Sequence, residues 1–67
     1  MNKPKSINDA LDRVHNLLGA AGSDIDKFLN KPQDYAPEYF ESVLNAVLDA
    51  HMLVTWVKDN LKEKAND

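Results

Sequence analysis

The sequence contains no cysteine and few of the residues that interrupt regular helices. Without cysteine, neither a disulfide nor a thiolate metal site can stabilise the chain of 67 residues. Its two glycines and three prolines are too few for a turn-rich β fold or for a disordered chain. A chain this short buries a small share of its surface. We therefore expect its stability to come from close helix packing or from association with another chain.

The chain also lacks a long apolar run and an excess of positive charge. No run approaches the ~20 apolar residues that span a bilayer, and the first residues show no apolar core of a signal peptide. Eleven acidic and eight basic residues give a net charge of −3, which disfavours nonspecific binding to nucleic acid or to an anionic membrane. We expect a cytoplasmic protein that binds no membrane and for which nucleic acid is a disfavoured partner.

Catalytic and metal-binding patterns are also missing. His15 and His51 are the only histidines, and a zinc site needs three or four convergent ligands. The three serines have no nearby base with an orienting partner. The segment Gly19–Gly22 does not follow a strand, as a phosphate-binding loop would. We therefore predict a protein that is not an enzyme, with no cofactor and no metal site.

The first half of the chain has the apolar period of one helix face. Ser6 is a suitable N-cap, and Pro32 disfavours helical backbone at Lys31, so we predict a helix over residues 7–31. Its apolar residues recur at alternating steps of four and three, which is a heptad-like seam. The seam consists of Ile7, Leu11, Val14, Leu18, Ala21, Ile25 and Phe28, and it is widened by Ala10, Leu17 and Leu29.

Two glycines leave an alternative for this helix. Gly22 could be a C-cap, followed by a short separate helix from Asp24 to Asn30, because Ser23 and Asp26 resemble a capping box. A kinked or continuous helix is the other interpretation. We favour a continuous or kinked helix, because a break would not normally preserve the phase of the apolar seam.

The second half predicts a longer helix over residues 37–64. Pro37 suits a first helical turn, and Lys58, Lys62 and Lys64 suit the negative C-terminal end. Residues 1–5 and 65–67 are expected to fray, and residues 1–67 to form a single small domain. The stripe expected to face the first helix consists of Phe40, Val43, Val47, Ala50, Val54, Val57 and Leu61, broadened by Tyr39, Leu44, Ala46, His51 and Leu53.

A second apolar stripe is expected on the opposite side of this helix. Leu48, Met52 and Trp56 recur at steps of four among polar residues. One narrow helix cannot cover both stripes, and exposed apolar patches mark partner sites. We predict these three residues as the partner-binding site; the alternative is that another segment of the same chain covers them.

Two resemblances concern architecture. A short acidic chain with two heptad-patterned helices resembles the plasmid RNA-modulating hairpins that dimerise into four-helix bundles. Those proteins use a basic and polar face of the first helix, where this chain has Asp9, Asp12, Asp24 and Asp26. The run of Ala46, Val47, Ala50, Leu53, Val54 and Trp56 resembles the second helix of small type III secretion needle co-chaperones, which are helical hairpins.

These observations predict an all-α antiparallel helical hairpin that pairs into a four-helix bundle. The expected function is that of a small non-enzymatic protein–protein interaction or adaptor protein, whose partner is a second copy (a homodimer) or another helical protein. The alternatives are a dimeric RNA-binding modulator, as the first resemblance implies, or a co-chaperone like those of type III secretion, as the second implies.

Overall fold

The chain folds into two α-helices that pack side by side. The computed structural model describes residues 3–65, with side chains through Lys62. Helix α1 spans Ile7–Asn30, a 3-10 turn spans Pro32–Asp34, and helix α2 spans Pro37–Ala65. The hairpin measures 52 × 18 × 16 Å between its Cα extremes. This confirms the predicted all-α hairpin, whereas the predicted fraying of residues 1, 2, 66 and 67 lies outside the described residues.

Helix α1 begins where the sequence predicts, at a capped N-terminus. Ser6 has extended backbone, and its Oγ accepts a hydrogen bond from the Asp9 backbone N–H at 3.0 Å. The Asp9 carboxylate accepts one from the Lys5 N–H at 3.0 Å and lies 3.2 Å from the Arg13 guanidinium. These contacts satisfy backbone donors that have no partner within the helix and place a negative charge at its positive end.

Helix α1 runs without interruption through both glycines. Neither Gly19 nor Gly22 has the positive φ of a left-handed C-cap, and residues 23 and 24 continue the helix. The prediction of an unbroken helix is confirmed, and the alternative of a separate short helix from Asp24 to Asn30 is wrong. The helical phase continues because no residue in this segment leaves the right-handed region.

A short turn reverses the chain direction. Lys31 leaves the helical region with φ −147° and ψ 70°, as expected for a residue before proline. The Asp34 N–H donates to the Lys31 carbonyl at 3.1 Å, and the Tyr35 N–H donates to the Pro32 carbonyl at 3.3 Å. The next helix begins at Pro37, in the first-turn position that tolerates proline. The helix ends at Asn30 and Ala65 differ from the predicted ends by one residue each.

Two clusters hold the helices together. At the turn end, the Phe28 ring lies 4.8 Å from the Tyr35 ring and 4.5 Å from the Phe40 ring, measured between centroids. Along the rest of the seam a buried core joins both helices, and Ile7, Leu17 and Trp56 pack against it. The core residues are Ala10, Val14, Ala50, Leu53 and Val57. Because small alanines contribute from both helices, the two backbones can approach closely here.

The structure corrects the predicted seam of each helix. Val14, Ala21 and Phe28 are buried as expected, but Leu11, Leu18 and Ile25 are nearly half exposed. In α2 the contact is centred on the line of Ala50, Leu53 and Val57, so Val47, Val54 and Leu61 lie outside it. The physical reason is that each helix carries two adjacent apolar stripes. The contact takes the stripes that contain alanine.

Candidate partner-binding surface

Each helix presents a second apolar stripe directly beside the one it buries. Leu11 follows buried Ala10 in sequence, and Leu29 follows buried Phe28; Val54 follows buried Leu53 in the same way. This offset of one residue recurs along both helices. The exposed large aliphatic residues that follow a buried or partly buried residue in this way are Leu11, Leu18, Ile25 and Leu29 in α1 and Leu44, Val47, Val54 and Leu61 in α2.

The two exposed stripes lie on the same side of the hairpin. One residue further along a helix is a rotation of about 100° away from the buried line. The two helices run antiparallel, so equal rotations about their own axes turn both stripes towards one side. The eight residues therefore form one surface, which we call the apolar side.

A groove at the turn end shows the two helices sharing this surface. It has a volume of about 260 Å³, and its walls come from α1, from the turn and from α2. The lining residues are Ile25, Phe28, Leu29, Pro32, Phe40 and Val43. All of these side chains are apolar, so the groove suits a large apolar side chain of a partner better than a charged ligand.

Covering the apolar side would contribute favourable free energy, because its side chains are about half exposed to water. Its residues are between 43% exposed at Ile25 and 71% exposed at Leu29. Fully burying a Leu, Ile or Val side chain contributes ~1.5–3 kcal/mol, so covering a half-exposed one contributes roughly 1 kcal/mol before ordering costs. Three alanines contribute to the contact within the chain together with Val14, Phe28, Leu53 and Val57, while the eight aliphatic residues of the apolar side remain available to another surface.

Charge distinguishes the apolar side from the opposite side of the hairpin. Among the described side chains, Lys58 is the only charged one directly after a buried residue of either helix, and His15, Gly22 and His51 occupy the other such positions that are not aliphatic. The opposite side, one residue before the buried line, bears a groove of about 380 Å³. This side is mixed in character and carries Asp9, Arg13, Lys27 and Asp49 together with Ala20, Met52 and Trp56. That groove is lined by Arg13, Asn16, Leu17, Ala20, Asp49 and Leu53.

The three residues predicted to bind a partner differ in their exposure to solvent. Leu48 and Met52 are 59% and 58% exposed. Trp56 is half-buried, packs against the core cluster, and accepts a hydrogen bond at its carbonyl from the Asn60 side chain at 2.8 Å. The indole is thus covered in part by its own chain, as the alternative interpretation expected. Partner binding by Leu48, Met52 and Trp56 stays a prediction.

Sequence reasoning missed the apolar side as a single surface. Leu11, Leu18 and Ile25 were assigned to the seam because the two adjacent stripes of α1 merge into one broad pattern. The signal that separates them is residue size: the stripe with Ala10 and Ala21 can approach a neighbouring helix more closely than the stripe of leucines.

The described side chains can also be compared with the three or four convergent ligands that a zinc site needs. Through Lys62, no three His, Cys, Asp or Glu side chains lie close enough together to hold an ion. Both His15 and His51 are exposed, and they lie on different helices. Within residues 3–65, neither helix combines the length and the apolar character needed to cross a membrane.

The chain matches no protein-family model, no curated protein and no solved structure. The resemblances to RNA-modulating hairpins and to secretion co-chaperones therefore still depend only on the residues that suggested them.

Proposed function

We propose that this chain is a non-enzymatic protein–protein interaction protein that binds another helical chain through its apolar side. The observation that carries the proposal is that each helix buries one apolar stripe against the other helix and exposes a second one beside it. The stripes that contain Ala10, Ala21 and Ala50 form the hairpin contact, and the aliphatic residues beside them stay 43–71% exposed. The cytoplasmic location expected from the sequence is part of this proposal.

The spacing on the apolar side favours a helical partner. Leu11, Leu18 and Ile25 recur every seven residues, and Val47, Val54 and Leu61 do the same. A seven-residue recurrence is the seam of helices that pack nearly parallel or antiparallel to one another. Two further helices packed on this side would complete a four-helix bundle. A partner without helices would not need apolar residues that recur every seven positions.

An RNA-binding modulator is the alternative. RNA binding relies on arginine and lysine side chains that contact phosphates, and Lys58 is the only such residue directly after a buried residue among the described side chains. Lys3, Lys5, Arg13 and Lys62 lie near the same end of the hairpin. RNA that co-purifies with the chain and dissociates steeply with rising salt would favour this alternative.

The proposal can be tested with two matched variants. The apolar-side variant is Leu18→Glu with Val54→Glu, at residues 49% and 48% exposed. The control variant is Leu48→Glu with Met52→Glu, at residues 59% and 58% exposed. Each tagged chain is expressed in its source cells and cross-linked, and the bound proteins and RNA are measured. We expect at least one protein, a copy of the chain included, to be retained by the wild type and the control and lost by the apolar-side variant.

Two outcomes would contradict the proposal. In one, all three chains retain the same proteins in the same amounts. In the other, the control variant loses its partners while the apolar-side variant keeps them, which would assign binding to the surface around Leu48 and Met52. Far-ultraviolet circular dichroism of the purified chains checks that each variant remains helical.

A further inference from the structure

We infer that the partner covering the apolar side is a second copy of this chain, laid end over end so that the two turns lie at opposite ends. This inference rests on the proposed function and names its partner. The two hairpins would stack face to face, with α1 over α1 and α2 over α2. The result is an antiparallel four-helix bundle with a two-fold axis across the middle of the helices.

The area of the hairpin face fits a stable dimer. The Cα extremes of the hairpin bound a face of 52 × 18 Å, a projected area of about 900 Å², which is of the same order as the ~800 Å² of accessible surface that each partner buries in a standard stable interface. The eight residues of the apolar side extend from Leu11 and Leu61 at the open end to Leu29 and Leu44 at the turn end. A second hairpin of the same length covers them all, while a single short helix would leave one stripe exposed.

The order of the apolar residues suits contact with a copy of itself. In α1, Leu11 and Ile25 lie seven residues on either side of Leu18. A two-fold interface requires that if one residue contacts another, the reverse contact also forms. With Leu18 on the axis, Leu11 meets Ile25 of the second copy. In α2, Val47 meets Val54 of the second copy in the same way.

Charge selects the end-over-end orientation. The turn end carries more acidic than basic residues, and the open end carries more basic than acidic residues. The charged residues at the turn end are Asp24, Asp26, Asp34, Glu38 and Glu41 with Lys27 and Lys31. The charged residues at the open end, among the described side chains, are Lys3, Lys5, Arg13, Lys58 and Lys62 with Asp9, Asp12 and Asp59. The sequence continues with Glu63, Lys64 and Asp67, so the basic residues exceed the acidic ones there by six to five. Laying the copies end over end sets each positive end on a negative one, whereas aligning the turns would bring like charges together.

Analytical ultracentrifugation of the purified chain tests the partner. We expect a dimer for the wild type and for the control variant (Leu48→Glu with Met52→Glu). The apolar-side variant (Leu18→Glu with Val54→Glu) should dissociate at least about 100-fold more readily, as expected when central residues of an interface are changed. If that variant loses its helical circular dichroism, the single change Leu18→Gln serves instead and should weaken the dimer at least about tenfold.

A distance measurement tests the orientation. The chain has no cysteine, so Gln33→Cys in the exposed turn takes a single nitroxide label. End-over-end copies place the two labels at opposite ends, at a separation comparable with the 52 Å length of the hairpin. Copies with aligned turns would place them within about two helix spacings, roughly 20 Å. Electron paramagnetic resonance distances near the shorter value would overturn the orientation.

The outcomes separate this inference from the proposed function. A wild type that remains monomeric at high micromolar concentration overturns the inference, while the proposed function survives if a different protein is lost from the apolar-side variant in cells. A dimer that the control variant dissociates and the apolar-side variant does not also overturns the inference, because the contact would then lie around Leu48 and Met52.

Discussion

Replacing the two glycines of α1 by alanine should stabilise the protein. Both lie inside the helix with φ in the ordinary negative range. A Cβ built on Gly19 or Gly22 meets no neighbouring atom within 4 Å. Alanine therefore adds no strain and removes the conformational freedom that glycine loses on folding. We expect each change to add ~1 kcal/mol to the free energy of unfolding, or about 4–8 °C in Tm for a domain of this size.

The measurement is thermal and urea unfolding followed by circular dichroism at several protein concentrations. Ala20→Gly is the matched control, since Ala20 is exposed in the same segment, and it should lower stability by a similar amount. Gly22 lies on the apolar side and Gly19 does not, so only the Gly22 variant should show an effect that depends on association. A clear loss of stability in Gly19→Ala, at every concentration, would refute a regular helix through this segment.

Two further predictions concern the seam and the helix start. Leu53 is 2% exposed, so Leu53→Ala should lower the unfolding free energy, measured in urea, by ~2–5 kcal/mol. The control Leu48→Ala, at an exposed residue, should change it by less than ~0.5 kcal/mol. Equal effects of the two changes would contradict the observed seam. Ser6→Ala should lower the unfolding free energy by ~1 kcal/mol, because it removes the acceptor of the Asp9 N–H. The control Ser42→Ala should be nearly neutral, because the lost hydroxyl only donates to the Tyr39 carbonyl inside α2. A larger loss of stability in Ser42→Ala than in Ser6→Ala would argue against the cap.

The helices and their connection could be predicted from local chemistry. Ser6, Lys31 and Pro37 act through their immediate neighbours, by capping a helix end, preceding a proline and occupying a first turn. Such signals are independent of what the helix later packs against. The unbroken α1 was likewise indicated by the phase of its apolar residues, which a left-handed residue at Gly22 would have shifted.

The orientation of each helix about its own axis could not be predicted with the same success. Periodicity locates an apolar half of the helix, but which line within it faces the partner depends on the close approach of two specific surfaces. Ala10 and Ala50 permit that approach, and neither residue stands out by hydrophobicity. Trp56 packs in part against the core of its own chain, a contact that its spacing with Leu48 and Met52 did not indicate.

The thin seam between the helices has a consequence for how long the chain survives in a cell. Of the seven buried hydrophobic residues in the described part of the chain, three are alanines: Ala10, Ala21 and Ala50. No third element holds the hairpin closed there, so separating α1 from α2 exposes both to proteases in one step. When opening is fast, cleavage follows the population of the open form, and whatever binds the closed form lowers that population. Under the proposed function, the turnover rate of this chain should therefore fall as more of it is bound, and copies without a partner should be degraded first.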